Sequence, residues 1–269
     1  MSPEDFEFIS SLIRSRSGLV LTPDKAYLLE SRLMPVARKH GLKGLDDLIN
    51  QLRTRKEEAL IVEVTEAMTT NESFFFRDVK PFDLLRDEVL PPILEKRQAQ
   101  KHLRIWCAAA SSGQEPYSIA IILKELGVKL AGWRIDIVGT DISHDILKKA
   151  SGGMYSQFEV QRGMPIQLLL KYFDKKDETW AIKPDIKNMV QYKYWNLLDD
   201  LKQLGGFDIV FCRNVLIYFD AETKGKVLEN ISQLMPKDGM LFLGGAETVL
   251  GVTDKFKPVQ GQRGVYALS

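Results

Sequence analysis

The sequence predicts an α/β protein: a doubly wound, mostly parallel sheet with a closing hairpin and a small inserted β-subdomain, preceded by an all-helical N-terminal domain. Three observations carry this expectation. From about residue 100 onward, short apolar runs alternate with amphipathic stretches of ~10–15 residues, the pattern of β–α–β units. The first ~70 residues show only helical periodicity. The alternation then breaks between about Gly152 and Asn188 and resumes afterwards, as an insertion would make it do.

The elements follow in order. "PEDFEFISSLIRSRSG" places Phe6, Ile9, Leu12 and Ile13 on one helical face and ends at Gly18. "TPDKAYLLESRLMPVARKHG" offers Thr22 as an N-cap, Pro23 at the first helical position and Gly41 as the stop. "LDDLINQLR" and "EEALIVEVTEAMTT" continue the helical pattern. "LRIWCAA", "WRIDIVGTD", "MVQYKYWN", "FDIVFCRN" and "GMLFLGG" read as five strands, and "EPYSIAIILKELG", "SHDILKKAS" and "AETKGKVLENISQLM" as helices between them. "GMPIQLLLKYF" and "ETWAIKPDIK" give the insertion a helix and a short antiparallel element, and "FKPVQGQRGVYALS" reads as the hairpin. The expected domains are 1–70 helical, 71–100 a linker with a lid, and 101–269 the sheet domain, with the insertion at about 152–188.

Composition narrows the function classes. The 269 residues carry a net charge of +1, which argues against a strongly basic nucleic-acid binder. No apolar run approaches the ~20 residues of a membrane span, and the acidic start "MSPEDFEFIS" lacks a signal-peptide pattern, so a cytoplasmic protein without membrane insertion is expected. Cys107 and Cys212 each lie inside an apolar run and read as buried free thiols. His40, His102 and His144 have no metal-ligand spacing, so no metal site is expected.

In an open α/β sheet the ligand crevice lies beyond the carboxyl ends of the strands. The first strand runs into Ala108-Ala109-Ala110-Ser111-Ser112-Gly113, small residues that let a ligand approach the backbone or simply pack a tight turn. Glu115 follows in the first turn of the next helix. It caps the dipole there, and it would repel a phosphate, so the turn suits a neutral or cationic ligand. Asp141 ends the second strand and either caps the next helix or accepts bonds from ribose hydroxyls. A ribose and a cationic group without phosphate point to S-adenosylmethionine. Asn196 at the third strand's end is a turn residue or an adenine contact, with Leu197 packed on the ring. Arg213 and Asn214 stand where the fourth strand leaves the sheet; Arg213 needs a nearby carboxylate or a ligand. Tyr218 is core or points its hydroxyl at the crevice. "TTNESFFFRD" holds three consecutive phenylalanines and then Arg77. It reads as an apolar plug or as a lid carrying a guanidinium.

Taken together, these segments resemble the CheR family, the chemotaxis receptor methyltransferases, over nearly the whole chain. "NESFFFR", "AAASSGQEPYSIA", "GTDIS", "WNLL" and "FCRNVLIYF" match that family's segments in order and spacing. The resemblance implies a Rossmann-like methyltransferase sheet and methylation of glutamate side chains on the cytoplasmic domains of chemoreceptors, from S-adenosyl-L-methionine to S-adenosyl-L-homocysteine. It assigns Asn71, Ser73 and Arg77 to the cofactor's methionine end and methyl group, Glu115 to the amino group and Asp141 to the ribose. Asn196 and Leu197 fall to the adenine, and Arg213, Asn214 and Tyr218 line the transfer site. Arg77 and Tyr218 are the expected catalytic pair. Ser73 replaces the family's usual Thr, and Gln114 replaces the first Glu of its pair.

Family members that dock on a receptor's C-terminal pentapeptide carry a longer Gly-rich loop in the β-subdomain. Here "KYFDKKDETWAIKPDIKN" is compact and lacks glycine, so independence from that tether is expected. The enzyme is expected to be a monomer. Arg32, Arg38, Lys39, Lys43, Arg53, Arg55 and Lys56 crowd the N-terminal domain, either as a solvated surface or as a face that meets an acidic receptor bundle. Two other functions compete: a non-catalytic module that binds S-adenosylmethionine or S-adenosylhomocysteine, and a carboxyl methyltransferase acting on a sensor outside chemotaxis.

Overall fold

A computed structural model describes residues 1–269. The chain forms two compact units: Met1–Thr70 with Tyr218–Thr223, and Asn71–Ile217 with Lys224–Ser269.

The first unit holds four helices: α1 (Pro3–Ser17), α2 (Ala26–Lys39), α3 (Leu45–Arg55) and α4 (Glu58–Ala67). Helix α1 starts with a capping box, in which the Ser2 hydroxyl accepts from Asp5 N at 3.1 Å and the Asp5 carboxylate accepts from Ser2 N. It ends at Gly18 in the left-handed conformation, as its sequence predicts. Ile9 and Ile13 of the predicted face are fully buried against Leu29, Leu33, Leu48 and Val64. The second helix departs from expectation. Pro23–Lys25 is a 3-10 turn and α2 begins only at Ala26. The Thr22 side chain caps nothing; its backbone carbonyl accepts from Lys25 N at 2.9 Å.

The basic cluster is partly internal scaffolding. Arg32 donates to Met68 O at 2.6 Å, Thr69 O at 3.1 Å and the Thr70 hydroxyl, which caps the end of α4. Lys39 pairs with Glu63, Arg53 with Asp5 and Arg55 with Glu57. Arg38, Lys43 and Lys56 make no ion pair and are the cations left for a partner.

The second unit opens with α5 (Lys80–Leu84), a π-helical turn at Leu85–Val89, and α6 (Leu90–Lys96). The π turn falls just before Pro91-Pro92, whose missing N–H groups interrupt the regular ladder. Then come β1 (His102–Ala108), α7 (Gln114–Glu125), β2 (Arg134–Asp141) and α8 (His144–Gly152). The insertion consists of β3 (Met154–Ser156), α9 (Gln157–Gln161), α10 (Ile166–Tyr172), β4 (Phe173–Lys176), β5 (Thr179–Ile182) and α11 (Pro184–Lys187). Its three strands form an antiparallel sheet in the order β3-β5-β4. The main sheet resumes with β6 (Val190–Tyr194), β7 (Ile209–Cys212), α12 (Ala221–Ser232), β8 (Met240–Leu243), β9 (Phe256–Pro258) and β10 (Val265–Leu268).

The seven main strands lie in the order β6-β2-β1-β7-β8-β10-β9. β6, β2, β1, β7 and β8 pair in parallel, and only β10 runs antiparallel to its neighbours. The closing hairpin thus slots its second strand beside β8 and leaves β9 at the edge. Strand order reverses between β1 and β7, the switch point where such sheets open a crevice. Trp106, Phe207 and Phe211 are fully buried on the sheet, and Cys107 and Cys212 are buried free thiols whose pKa values burial pushes well up.

Candidate functional site

Strand register builds the site. Ala108 aligns with Thr140 on β2 and with Cys212 on β7, and Cys212 aligns with Leu243 on β8. Asp141 aligns with Tyr194 on β6. The strand ends are therefore level: Ala109, Asp141, Tyr194, Arg213 and Gly244 form one row at the carboxyl edge, with Trp195 one residue beyond it.

The turn after β1 is strained and heavily tethered. Ala109 and Ser111 hold left-handed φ values of 57° and 51°, which cost non-glycine residues about 1 kcal/mol or more each. Asp141 holds the turn, accepting Ser111 N on Oδ2 at 2.9 Å and Ser143 N on Oδ1 at 3.1 Å. The Ser111 hydroxyl donates to Asn71 O, and the Tyr155 hydroxyl donates to Ser112 O at 2.7 Å. Asp141 thus spans the turns of β1 and β2 with its carboxylate. Gln114 is 1% exposed and accepts from the Ser112 hydroxyl at 2.7 Å, so its amide oxygen is committed to this turn.

Glu115 and Arg213 form a buried pair. Arg213, its side chain 1% exposed, donates Nη1 to Glu115 Oε2 at 2.9 Å. Its Nη2 donates to Arg77 O at 3.0 Å and to Asp78 Oδ2 at 2.7 Å, and the guanidinium lies over the Phe82 ring. Burial pushes the Glu115 carboxyl above its usual range while Arg213 pulls it back. Of the two readings of Arg213, the carboxylate pairing is realised. Its Nε–H has no partner in the chain, and neither has Trp195 Nε1 at the end of β6.

The phenylalanine run divides three ways. Phe75 is fully buried and packs edge-on against Tyr155 at 5.0 Å and Phe173 at 5.5 Å in the inserted subdomain. Phe76 turns to Phe82, and the Phe76 N–H donates to the Ser118 hydroxyl on α7. Phe74 is half-buried and meets two guanidinium groups, Arg77 at 5.3 Å and Arg162 at 4.3 Å. The plug and the cation are therefore one segment: two rings anchor it and the third meets the half-buried Arg77. Arg77 donates Nη1 to Glu72 O at 3.0 Å and joins no ion pair.

The remaining predicted residues divide. Ser73 is half-buried and Asn71 exposed. Leu197 is buried, and Asn196 Oδ1 accepts from Leu198 N at 3.0 Å, the turn role foreseen for it. Asn214 sits beside Arg213 with a left-handed φ of 59°. Tyr218 falls in the other compact unit. Residues 218–223 belong to the unit of the N-terminal helices, where Tyr218 O accepts from Val20 N at 2.9 Å.

Sequence reading missed Glu247. This buried carboxylate follows β8 and accepts four backbone N–H groups: Asn214 at 2.8 Å, Val215 at 2.9 Å, Ile217 at 3.3 Å and Gly244 at 2.6 Å. It fixes the segment after β7. A Cβ on Gly244 would meet Glu247 Oε2 at 2.7 Å and Asn214 Nδ2 at 2.8 Å, so the close approach needs glycine. The signal was available, since "GGAETV" places an acidic residue just past a strand's carboxyl end.

The arrangement is a sheet with carboxylates at the tips of its first two β–α units and no glycine-rich phosphate cradle. That defines a class: transferases that bind a nucleoside cofactor with a cationic rather than a phosphorylated tail, the S-adenosylmethionine-dependent methyltransferases. The chain belongs to the CheR methyltransferase family. The family's S-adenosylmethionine-binding domain matches residues 71–265, and its all-alpha domain matches residues 4–69. A Pseudomonas aeruginosa protein named chemotaxis protein methyltransferase 1 is 41% identical over 267 residues, spanning 97% of this chain and 96% of its own length. A chemotaxis protein methyltransferase of Pseudomonas putida is 39% identical with the same coverage. One from Vibrio parahaemolyticus is 37% identical over 98% of this chain and 96% of its own length. No helix is long and apolar enough to cross a membrane.

The donor set fits the cofactor. Carboxylates suit an ammonium group and a pair of hydroxyls, whereas a phosphate facing Glu115 would be repelled. Arg213 Nε and Trp195 Nε1, both without a partner in the chain, lie just past the carboxyl ends of β7 and β6.

Proposed function

We propose that this protein transfers methyl groups from S-adenosylmethionine to glutamate side chains in the cytoplasmic domains of chemoreceptors, forming methyl esters and releasing S-adenosylhomocysteine. One observation carries the reading: Arg77, a guanidinium without an ion pair, stands on the backbone that Arg213 ties to Glu115. A free cation beside a site for a cationic cofactor is suited to an anionic acceptor.

In this reading Asp141, at the tip of β2, accepts the ribose hydroxyls. Asn196 and Leu197 contact the adenine, and Glu115 takes the amino group. Asn71, Ser73 and Asn214 line the methionine end, and Arg213 holds Glu115 and the 77–78 backbone in place. Residues 71–79 form the lid of a linker that runs to residue 100. The bound cofactor supplies an electrophilic methyl group on a sulfonium. The acceptor needs no base, because a glutamate with a reference pKa of about 4.3 is already ionised. Arg77 aligns its two oxygens with a forked pair of N–H bonds. Orientation of this kind contributes several kcal/mol to the barrier.

The β4–β5 hairpin turns through only Asp177 and Glu178, which supports a subdomain that needs no pentapeptide tether. Deleting a receptor's C-terminal pentapeptide should leave the rate unchanged; a large drop would contradict this. Arg38, Lys43 and Lys56 are free to steer an acidic receptor bundle. The protein works as a cytoplasmic monomer. The reading is tested by incubating it with methyl-labelled S-adenosylmethionine and a receptor cytoplasmic domain. Label should appear on the receptor and leave as methanol in base. Base-stable label would rule out a carboxyl ester, and no transfer would favour a binding module.

A further inference from the structure

We propose that Arg162, in the turn between α9 and α10 of the inserted subdomain, is a positioning residue for Arg77. The inference rests on the role proposed above for Arg77 and adds how that side chain is aimed.

Arg77 has no carboxylate of its own to hold it. Its guanidinium has two tethers, the carbonyl of Glu72 and the face of Phe74. Arg162 grips the residues that supply both. Its Nη2 donates to Glu72 Oε1 at 2.7 Å, and its guanidinium covers the Phe74 ring at 4.3 Å. The ring thus meets two cations, which its negative π-cloud accommodates, and Glu72 balances the added charge. The Arg162 guanidinium holds the Glu72 carboxyl below its usual range, in keeping with a formed pair.

The neighbouring residue locks the register of this contact. A Cβ on Gly163, at φ +91°, would fall 1.9 Å from Phe75 O, inside the carbonyl itself. The 162–163 turn therefore lies directly on the 72–77 segment. A free arginine spreads over many rotamers, and ordering it costs conformational entropy. Arg162 meets part of that cost before substrate arrives. The inserted subdomain thereby acts on the transfer step through the side chain that receives the carboxylate.

Two readouts decide this. The first needs no substrate: the Arg77 Nε–Hε signal in an NMR spectrum, displaced by the ring current of Phe74. Arg162→Ala should move it toward the position of a free arginine, and an unmoved signal overturns the proposal whatever the activity. The second is kinetic, with S-adenosylhomocysteine binding measured alongside. Arg162→Ala should lower kcat about tenfold, the sum of one stacked cation and one exposed ion pair, with the Kd for S-adenosylhomocysteine within about twofold. Arg162→Lys keeps the charge but not the plane and should fall between. Adding Arg162→Ala to Arg77→Ala should cost nothing further, because the first acts through the second. Losses that multiply would overturn the proposal. If the wild-type protein itself transfers no methyl group, the proposed function fails, while the NMR signal still decides the coupling.

Discussion

Replacing Glu247 with Ala removes the acceptor of four backbone N–H groups at once. A hydrogen bond to a charged group contributes about 1.5–3 kcal/mol, and a buried donor left unmet costs about 1–3 kcal/mol. The four effects do not add: the Ile217 bond is long at 3.3 Å, and water enters the space left by the side chain. A net loss of about 3–5 kcal/mol follows, comparable to breaking a buried ion pair. Glu247→Gln keeps one acceptor oxygen but points an NH2 at backbone donors, and should lose about 2–3 kcal/mol. All four tryptophans, Trp106, Trp133, Trp180 and Trp195, lie in the same unit as Glu247, so their fluorescence during urea unfolding reports on that unit. The midpoint should fall sharply with little change in slope. A loss below about 1 kcal/mol for Glu247→Ala would refute the idea that this carboxylate organises the segment after β7.

Two further predictions concern the Glu115–Arg213 pair. Burial raises the Glu115 pKa, so the free protein binds a proton there more readily than an exposed carboxyl would, and a cationic ligand must displace it. Affinity for S-adenosylhomocysteine should therefore fall as the pH drops through the region just above the ordinary carboxylate range. Calorimetry should show Glu115→Gln binding more weakly and with that pH dependence flattened; an unchanged profile would sink the assignment. Arg213→Met should destabilise the protein by about 3–5 kcal/mol, because Glu115 then stays buried without its partner. Thermal melts of Arg213→Met and of the Glu115→Gln, Arg213→Met double variant test this, since the double variant should recover part of the loss.

Much of the fold is legible because the sheet's central strands, β1 and β7 above all, are buried on both faces. Such strands read as continuous apolar runs, and "RIWCAA" and "DIVFC" are visible without tertiary knowledge. The strand-end residues Glu115, Asp141 and Arg213 were equally visible, since charge beside a core strand is conspicuous. What escaped was partnership. Arg213 spends its guanidinium on Glu115, Asp78 and the Arg77 carbonyl, three groups from two segments far apart in sequence. Local pattern cannot reveal that. Thr22 misled for a related reason: Thr-Pro is a good helix start, but the turn closed as a 3-10 helix on the backbone carbonyl. The division of Phe74, Phe75 and Phe76 among three environments depends on positive φ at Phe76, Asp78 and Val79, a strained path that composition does not announce. The basic stretch of the N-terminal unit reads as one surface or face, yet Arg32 caps a helix and Lys39, Arg53 and Arg55 are ion-paired.

The most direct test of the account is a single-turnover comparison of Arg77→Ala with the wild-type protein. Methyl-labelled S-adenosylmethionine and the receptor domain are both saturating, and S-adenosylhomocysteine affinity is measured in parallel. The account predicts affinity within about threefold and transfer slowed about 100-fold or more, the scale of a lost orienting contact. Lost affinity, with the bound fraction turning over at the normal rate, would contradict it and make Arg77 a cofactor ligand alone.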